Sequence, residues 1–305
     1  MPENGVRSTY SQAPFRISTH DLGGQIATGT AFHYLHDGKR FIVTNWHNLT
    51  GRDFFSGSNL NKQARTPLWI EVHTALWLSP ATTSVRNFGI VSRRVEIYRD
   101  PNPQLDPLWL EHPQLGGRGC DIVAILDPKP SQEPEFMHNC VNLISDARVP
   151  VLPGELAFVI GYPRGLHTGF GLPIWKSTFI ASEPHYNVAV AERSLPAFFL
   201  DGYTREGMSG SPVFARYRGM WDANDPYKPV DPAEPGFWNR DDVNIFGSEA
   251  TEFIGIYSGR IPEKEGEAAL GLCWRKDAID QVCSAHWLSE ATSSTAIPLT
   301  DDRID

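Results

Sequence analysis

The stretch GMSGSPVF, at residues 207–214, places Ser209 between Gly207 and Gly210, directly before an apolar run. Glycine has no Cβ, so the backbone can turn tightly here and the amides of Gly207 and Ser209 can point at one spot. Two such N–H donors form the kind of site that stabilises a developing oxyanion. A serine hydroxyl is a weak nucleophile at neutral pH, so the stretch predicts a histidine base and an acid that orients it.

Two other stretches supply these residues. Residues 41–47, FIVTNWH, form an apolar run that leads into His47, and residues 120–126, CDIVAIL, form a second apolar run that starts beside Asp121. The chain order is His, Asp, Ser. Trypsin-type enzymes have this order, whereas α/β-hydrolases have Ser, Asp, His and subtilisins have Asp, His, Ser. An α/β-hydrolase would also need glycine at the position of Ser211.

Through the blocks TNWH, DIVA and GMSGSP, the chain resembles the trypsin-like (chymotrypsin-fold) serine peptidases, in the bacterial-type trypsin-like peptidase domain group. The resemblance implies a serine endopeptidase that needs no cofactor and acts on a protein or peptide. Ser209 would attack the carbonyl, His47 would take and return the proton, and Asp121 would orient His47. The amides of Gly207 and Ser209 would bind the oxyanion.

The pattern of short apolar runs separated by turn residues predicts an all-β protein. The resemblance implies two antiparallel six-stranded β-barrels and a short C-terminal helix that packs on the second barrel. Ile279, Val282 and Cys283 are spaced three and four apart, as on one helical face. The predicted division is a tail (1–22), a first barrel with His47 and Asp121 (23–127), a connector (128–153), a second barrel with Ser209 and an insertion at 216–248 (154–275), the helix (276–290) and a tail (291–305).

Two polar stretches, at residues 54–66 and 216–248, exceed what a compact fold needs. Such insertions serve either as functional lids or as surface elaboration, and the second is placed in the chain to reach the cleft.

The resemblance also suggests where substrate specificity is decided. By alignment on Ser209, the base of the specificity pocket falls near Tyr203, and one wall is formed by Ser258, Gly259 and Arg260. Tyr203 carries no negative charge, so we expect a neutral or small side chain at the cleaved position. Asp201, two positions before Tyr203, keeps a preference for Lys or Arg open as the alternative.

The net charge of −9 argues against a general nucleic-acid binder. No apolar run approaches the roughly 20 residues of a membrane span. We therefore expect no nucleic-acid or membrane partner.

Metal chemistry is not indicated by the sequence. The chain has four cysteines: Cys120, Cys140, Cys273 and Cys283. They include no CxxC pair, so we expect free thiols, no zinc and a cytoplasmic location. His33 and His36 lie around a hairpin turn at residues 37–38 and are interpreted as surface histidines.

Two alternatives stay open. One is a catalytically silent module that keeps the fold for binding or scaffolding. The other is an effector peptidase that a regulatory protein partner releases. Met208 stands where digestive relatives carry the aspartate that pairs with a new N-terminus. We therefore expect activity to be constitutive or controlled by a partner, an insertion or a ligand.

Overall fold

The computed structural model describes the chain except for residues 1–7, 78–87, 100–105, 128–139, 146–147, 191, 203–205, 223, 229, 240–244, 247–248, 262–269 and 295–305. Within the described residues the fold is mostly β, as predicted, with two α-helices. No helix in this part of the chain is long and apolar enough to cross a membrane.

The first unit is one antiparallel sheet. In chain order its strands are β1 (Pro14–Asp21), β2 (Gly24–His36), β3 (Lys39–Thr44), β4 (Trp69–Trp77), β5 (Phe88–Glu96), β6 (Trp109–Leu110) and β7 (Val123–Leu126). Their order in the sheet is β5-β4-β1-β2-β3-β7-β6. A short helix, α1 (Trp46–Thr50), follows β3.

Strand β1 lies in a stretch that the sequence analysis assigned to the N-terminal tail. It pairs with β2 on one side and β4 on the other, so it is an inner strand of the sheet. Phe15 and Ile17 are fully buried, whereas Arg16 between them is partly exposed. This alternation is typical of a strand with one face on the core. The sequence analysis missed this strand because Phe15 and Ile17 stand among polar residues.

Over the described residues, the two edges of this sheet approach each other beside residues 98 and 107, where Arg99 N–H donates to the Asp106 carbonyl and Leu108 N–H to the Ile97 carbonyl, both at 3.0 Å. Tyr98, just after β5, forms an isolated bridge with Pro107, just before β6. The bridge is isolated and β6 has only two residues, so no continuous ladder joins the two edges over the described residues. The prediction of a closed six-stranded barrel is therefore not confirmed for this unit. Over the described residues it is an open sheet of seven strands.

The second unit contains a closed six-stranded barrel, as predicted, with the order β12-β17-β16-β13-β8-β9. The strands of this unit are β8 (Leu156–Gly161), β9 (Ile174–Ile180), β10 (Val188–Val190), β11 (Arg193–Leu195), β12 (Ala197–Asp201), β13 (Pro212–Arg218), β14 (Trp221–Asp222), β15 (Ile245–Phe246), β16 (Glu249–Arg260) and β17 (Leu270–Arg275). Strands β10 and β11 pair separately, as do β14 and β15.

The C-terminal helix, α2 (Lys276–Ser294), is longer than the predicted 276–290. It contacts strands of both units, namely β2, β6 and β7 of the first and β16 and β17 of the second. The helix therefore packs on the second barrel, as expected, and also on the first unit, where its polar side chains bond to β2. The Tyr34 hydroxyl donates to Asp280 at 2.7 Å, and His36 Nε2 lies 2.9 Å from Ser284 Oγ.

His33 is not the surface residue that the sequence suggested. Strand β2 continues to His36, which places His33 inside the sheet, where its side chain is fully buried. Its Nε2 lies 3.0 Å from Asp127, which also pairs with Arg40 at 3.1 Å and Arg93 at 3.0 Å. Burial lowers the pKa of His33 below its usual value.

We expect the free energy of unfolding to fall as the pH drops below about 6.5. Burial lowers the pKa of His33 and His112, and lowers that of His73 to about 4. Below about pH 6.5 these three histidines bind more protons in the unfolded chain than in the folded one. Their contribution to the free energy of unfolding is therefore complete above the pKa that they have in the unfolded chain, and it is lost as the pH falls below that value.

Urea unfolding at about pH 7.5 and about pH 5 measures this pH dependence, and His73→Gln should weaken it. The same unfolding midpoint at both pH values would contradict the prediction.

Candidate active site

A short helix presents His47. Strand β3 ends at Thr44, Asn45 is extended, and α1 begins at Trp46, so His47 lies in a helical turn and not at a strand end. Gly51 ends the helix with φ +67°, and its N–H donates to the His47 carbonyl at 2.9 Å. Such a left-handed residue commonly closes a helix, and glycine adopts it without strain.

The carboxylate of Asp121 is fully buried and bonded to His47. Oδ2 lies 2.7 Å from His47 Nδ1, and Oδ1 accepts from the His47 backbone N–H at 2.9 Å. The Ser258 hydroxyl also donates to Oδ2 in a short hydrogen bond. An ionised carboxylate only accepts, so Nδ1 of a neutral His47 carries the ring proton. Its Nε2 is left as a base.

The turn that carries Ser209 is bonded to both units. The Ser209 carbonyl accepts from the N–H of Thr30 in β2 at 2.9 Å and from Asn48 Nδ2 in α1 at 3.2 Å. On the other side, Gly210 N–H donates to the Tyr257 carbonyl of β16 at 2.9 Å. These contacts fix the turn between His47 and β16.

Both flanking glycines are required by the backbone. Gly207 has φ +87° and Gly210 has φ +86°. A Cβ on Gly207 would lie 2.4 Å from the Tyr162 carbonyl oxygen, and one on Gly210 would lie 1.9 Å from the Thr30 carbonyl oxygen. The N–H groups of Gly207 and Ser209 donate to no acceptor in the described part of the chain. Both are therefore free to bind a ligand oxygen.

The Ser209 side chain shares a cavity with His47, but its hydroxyl is bonded to a backbone carbonyl. The hydroxyl donates to the Ser258 carbonyl at 3.1 Å. A hydroxyl has one hydrogen, so while Ser209 donates to this carbonyl it does not donate a hydrogen bond to His47. His47, Gly207 and Ser209 all line a cavity of about 890 Å³. Rotation about one side-chain bond would redirect the hydrogen.

Two of the four predicted specificity residues are found at the cavity. Ser258 and Gly259 line the cavity. Tyr203 lies outside the described residues, and only the backbone of Arg260, the last residue of β16, is described. The Ser258 hydroxyl bonds to Asp121, a contact that the sequence analysis missed. No local signal in the sequence marks it, because Ser258 and Asp121 are 137 residues apart.

The two insertions have different positions. Phe54, Leu60 and Asn61, from the first insertion, line the cavity. Among the described residues of the second insertion none lines it, so the expectation that this insertion reaches the cleft is not met there. Its buried Trp221 instead donates through Nε1 to the Arg148 carbonyl at 2.8 Å.

The four cysteines are free, as predicted. Burial raises the pKa of Cys120, Cys273 and Cys283, so these thiols stay protonated and are poor nucleophiles. In the described ranges, no three His, Cys, Asp or Glu side chains are grouped to hold a metal ion.

No protein-family model matches the sequence, and no curated protein matches it. Similar solved structures include a serine endoprotease from Yersinia pestis, with 13% identity, a TM-score of 0.42 and coverage of 92% of this chain and 67% of that one. An HtrA-type protease with a tripeptide has 12% identity and a TM-score of 0.45, and the match covers 90% of this chain and 60% of that one. The MamO protease domain from Magnetospirillum magneticum has 14% identity and a TM-score of 0.43, and the match covers 90% of this chain and 97% of that one.

These similarities concern the fold alone, and this chain spans only about three fifths of the HtrA-type structure. The all-β fold with its closed barrel supports the trypsin-like peptidase domain that the sequence motifs predict.

We expect Gly210→Ala to destabilise the protein far more than Gly154→Ala. Gly154 has φ +88° but nothing within 4 Å of an added Cβ, so its substitution adds only backbone strain, about 1 kcal/mol. At Gly210 the added Cβ also collides with the Thr30 carbonyl, for a total of about 3 kcal/mol or more. Guanidinium unfolding measures both, and equal losses would contradict the role given to this turn.

Proposed function

We propose that this protein is a serine endopeptidase with His47, Asp121 and Ser209 as its catalytic triad. The observation that carries the proposal is the bond between His47 Nδ1 and the buried Asp121 carboxylate, at a cavity that Ser209 also lines. A buried carboxylate bonded to a histidine, beside a serine in a turn with free amides, is the arrangement that acyl transfer needs.

The reaction proceeds in two halves. His47 Nε2 removes the Ser209 proton as Oγ attacks the peptide carbonyl carbon, and the oxyanion that forms accepts from the N–H groups of Gly207 and Ser209. His47 then protonates the leaving amine as the C–N bond breaks, which leaves an acyl ester on Ser209. Water, deprotonated by His47, attacks this ester, and His47 then returns the proton to Ser209 Oγ as the ester C–O bond breaks and the acid product departs. Asp121 stabilises the His47 cation throughout.

The Ser209 rotamer suggests how activity is held back. Its hydroxyl hydrogen must leave the Ser258 carbonyl before His47 can accept it. Catalytic hydrogen bonds are often loose without ligand, so substrate binding is one means of redirecting it. A partner that presses on the cavity is another, and the insertion at residues 54–66 is in place to receive it.

A cytoplasmic location is part of the proposal. It is supported by the four free cysteines, three of them fully buried, since free thiols are the rule in a reducing compartment.

We expect a fluorophosphonate probe to label the purified chain at Ser209, because the probe reports an activated serine. Labelling should vanish in Ser209→Ala and in His47→Ala. Ser177→Ala, on the exposed face of β9, is the matched control and should label normally. Probe incorporation is read by intact-mass spectrometry. Absence of labelling in the folded chain would instead favour the catalytically silent binding module.

We expect Asp121→Asn to lower kcat for peptide hydrolysis about 10⁴-fold while the fold is kept, because an amide would no longer hold the His47 proton on Nδ1. Asp106→Asn, with a side chain 63% exposed, is the control. Steady-state kinetics on an unfolded protein substrate test this, and a loss below about tenfold would remove Asp121 from the proposed mechanism.

A further inference from the structure

Arg164 occupies an unusual turn at the edge of the candidate active site. It has φ +53°, a left-handed conformation that is uncommon outside glycine. Two hydrogen bonds hold the turn: Arg164 N–H donates to the Glu206 carbonyl at 2.6 Å, and Gly165 N–H donates to the Tyr162 carbonyl at 2.9 Å. The side chain of Arg164 is exposed and lines the cavity that contains Ser209.

A second arginine lies at the same turn. Arg16 Nη1 is 3.9 Å from the position of a Cβ on Gly165. Neither Arg164 nor Arg16 is paired with an acid among the described residues, whereas Arg40 and Arg93 are. In a protein of net charge −9, Arg164 in the cavity lining and Arg16 behind its turn give this edge of the cavity a local positive potential.

The proposed mechanism defines which part of a substrate would reach this turn. His47 protonates the leaving amine, so the leaving segment passes beside His47. Thr28 lines the same cavity, and a Cβ on Gly165 would lie 3.6 Å from the Thr28 methyl group. A leaving segment that runs from Ser209 past His47 and along Thr28 would therefore reach the turn of Arg164.

We propose that Arg164, assisted by Arg16, binds a carboxylate in the substrate segment that follows the cleaved bond. This inference rests on the proposed function and names its substrate class: peptides with an acidic leaving segment. A guanidinium forms two parallel N–H···O bonds with a carboxylate, which gives both strength and orientation. The carboxylate is that of an Asp or Glu side chain or of a nearby chain terminus.

Glu206 also lines the cavity and opposes this selectivity. Glu206 accepts from the Arg164 N–H through its backbone carbonyl, and over the described residues no ion pair joins its carboxylate to the Arg164 guanidinium. Replacing Glu206 with Gln removes a like charge and is expected to strengthen the preference for acidic segments.

The test uses peptides with one fixed acyl segment and Glu or Gln at each of the first three positions after the bond, each ending in a carboxylate or an amide. We expect kcat/KM to be about tenfold higher for the preferred carboxylate. A Glu preference at one position identifies a side-chain ligand. A preference for the free carboxyl end identifies the chain terminus.

Two variants separate recognition from folding. Arg164→Gly should abolish the preference without lowering the thermal midpoint, because glycine adopts φ +53° without strain. Arg164→Glu should reverse it in favour of Lys at the same position. Arg218→Gln, an arginine with a side chain 85% exposed on β13, is the matched control and should keep the preference.

Equal hydrolysis of all peptides by the unmodified chain, or a preference that survives in Arg164→Gly, would overturn the inference and leave the endopeptidase proposal standing. If no peptide is cleaved and Ser209 is not labelled, the proposed function itself fails. Fluorescence anisotropy with the labelled Glu and Gln peptides then decides the inference separately. Tighter binding of the Glu peptide that Arg164→Gly removes would support it, and equal binding would overturn it.

Discussion

The polar atoms of Thr30 join the two units of this protein. Thr30 is fully buried in β2, and its N–H donates to the Ser209 carbonyl at 2.9 Å. Its hydroxyl donates to the Gly207 carbonyl at 2.8 Å and accepts from Tyr162 N–H at 3.1 Å, while its carbonyl accepts from Thr44 at 2.8 Å. Buried polar groups are tolerated only when they are bonded. The position of the Ser209 turn against the first sheet therefore depends on this residue.

Asp121 also joins the two units. It belongs to the first unit, yet its buried carboxylate accepts from the Ser258 hydroxyl of β16 in the barrel. An isolated buried carboxylate would be strongly disfavoured, and the donors from His47 and Ser258 compensate for its lost hydration. The bond between His47 and Asp121 lies within the first unit, whereas the contacts of Asp121 with Ser258 and of the Ser209 turn with Thr30 exist only when both units are assembled.

Ser258 connects Asp121 and Ser209. Its side chain bonds to Asp121, and its carbonyl holds the Ser209 hydroxyl. A displacement of β16 at this residue would alter the orientation of His47 and the rotamer of Ser209 together. The helix α2 packs on β16 and also on β2, β6 and β7, which ties this strand to the first sheet.

The closed barrel of the second unit was implied only by the family resemblance. The amino-acid sequence by itself indicated the three candidate site residues, the two glycines of the serine turn, the all-β class and a C-terminal helix. These features have local signals, because turn glycines and apolar runs act through their neighbours in the chain. Strand β1, the burial of His33, the contacts of α2 with both units and the role of Ser258 were decided only by the tertiary structure. Each depends on residues far apart in the chain, such as Ser258 and Asp121, whose meeting is determined by how the sheet packs against the barrel.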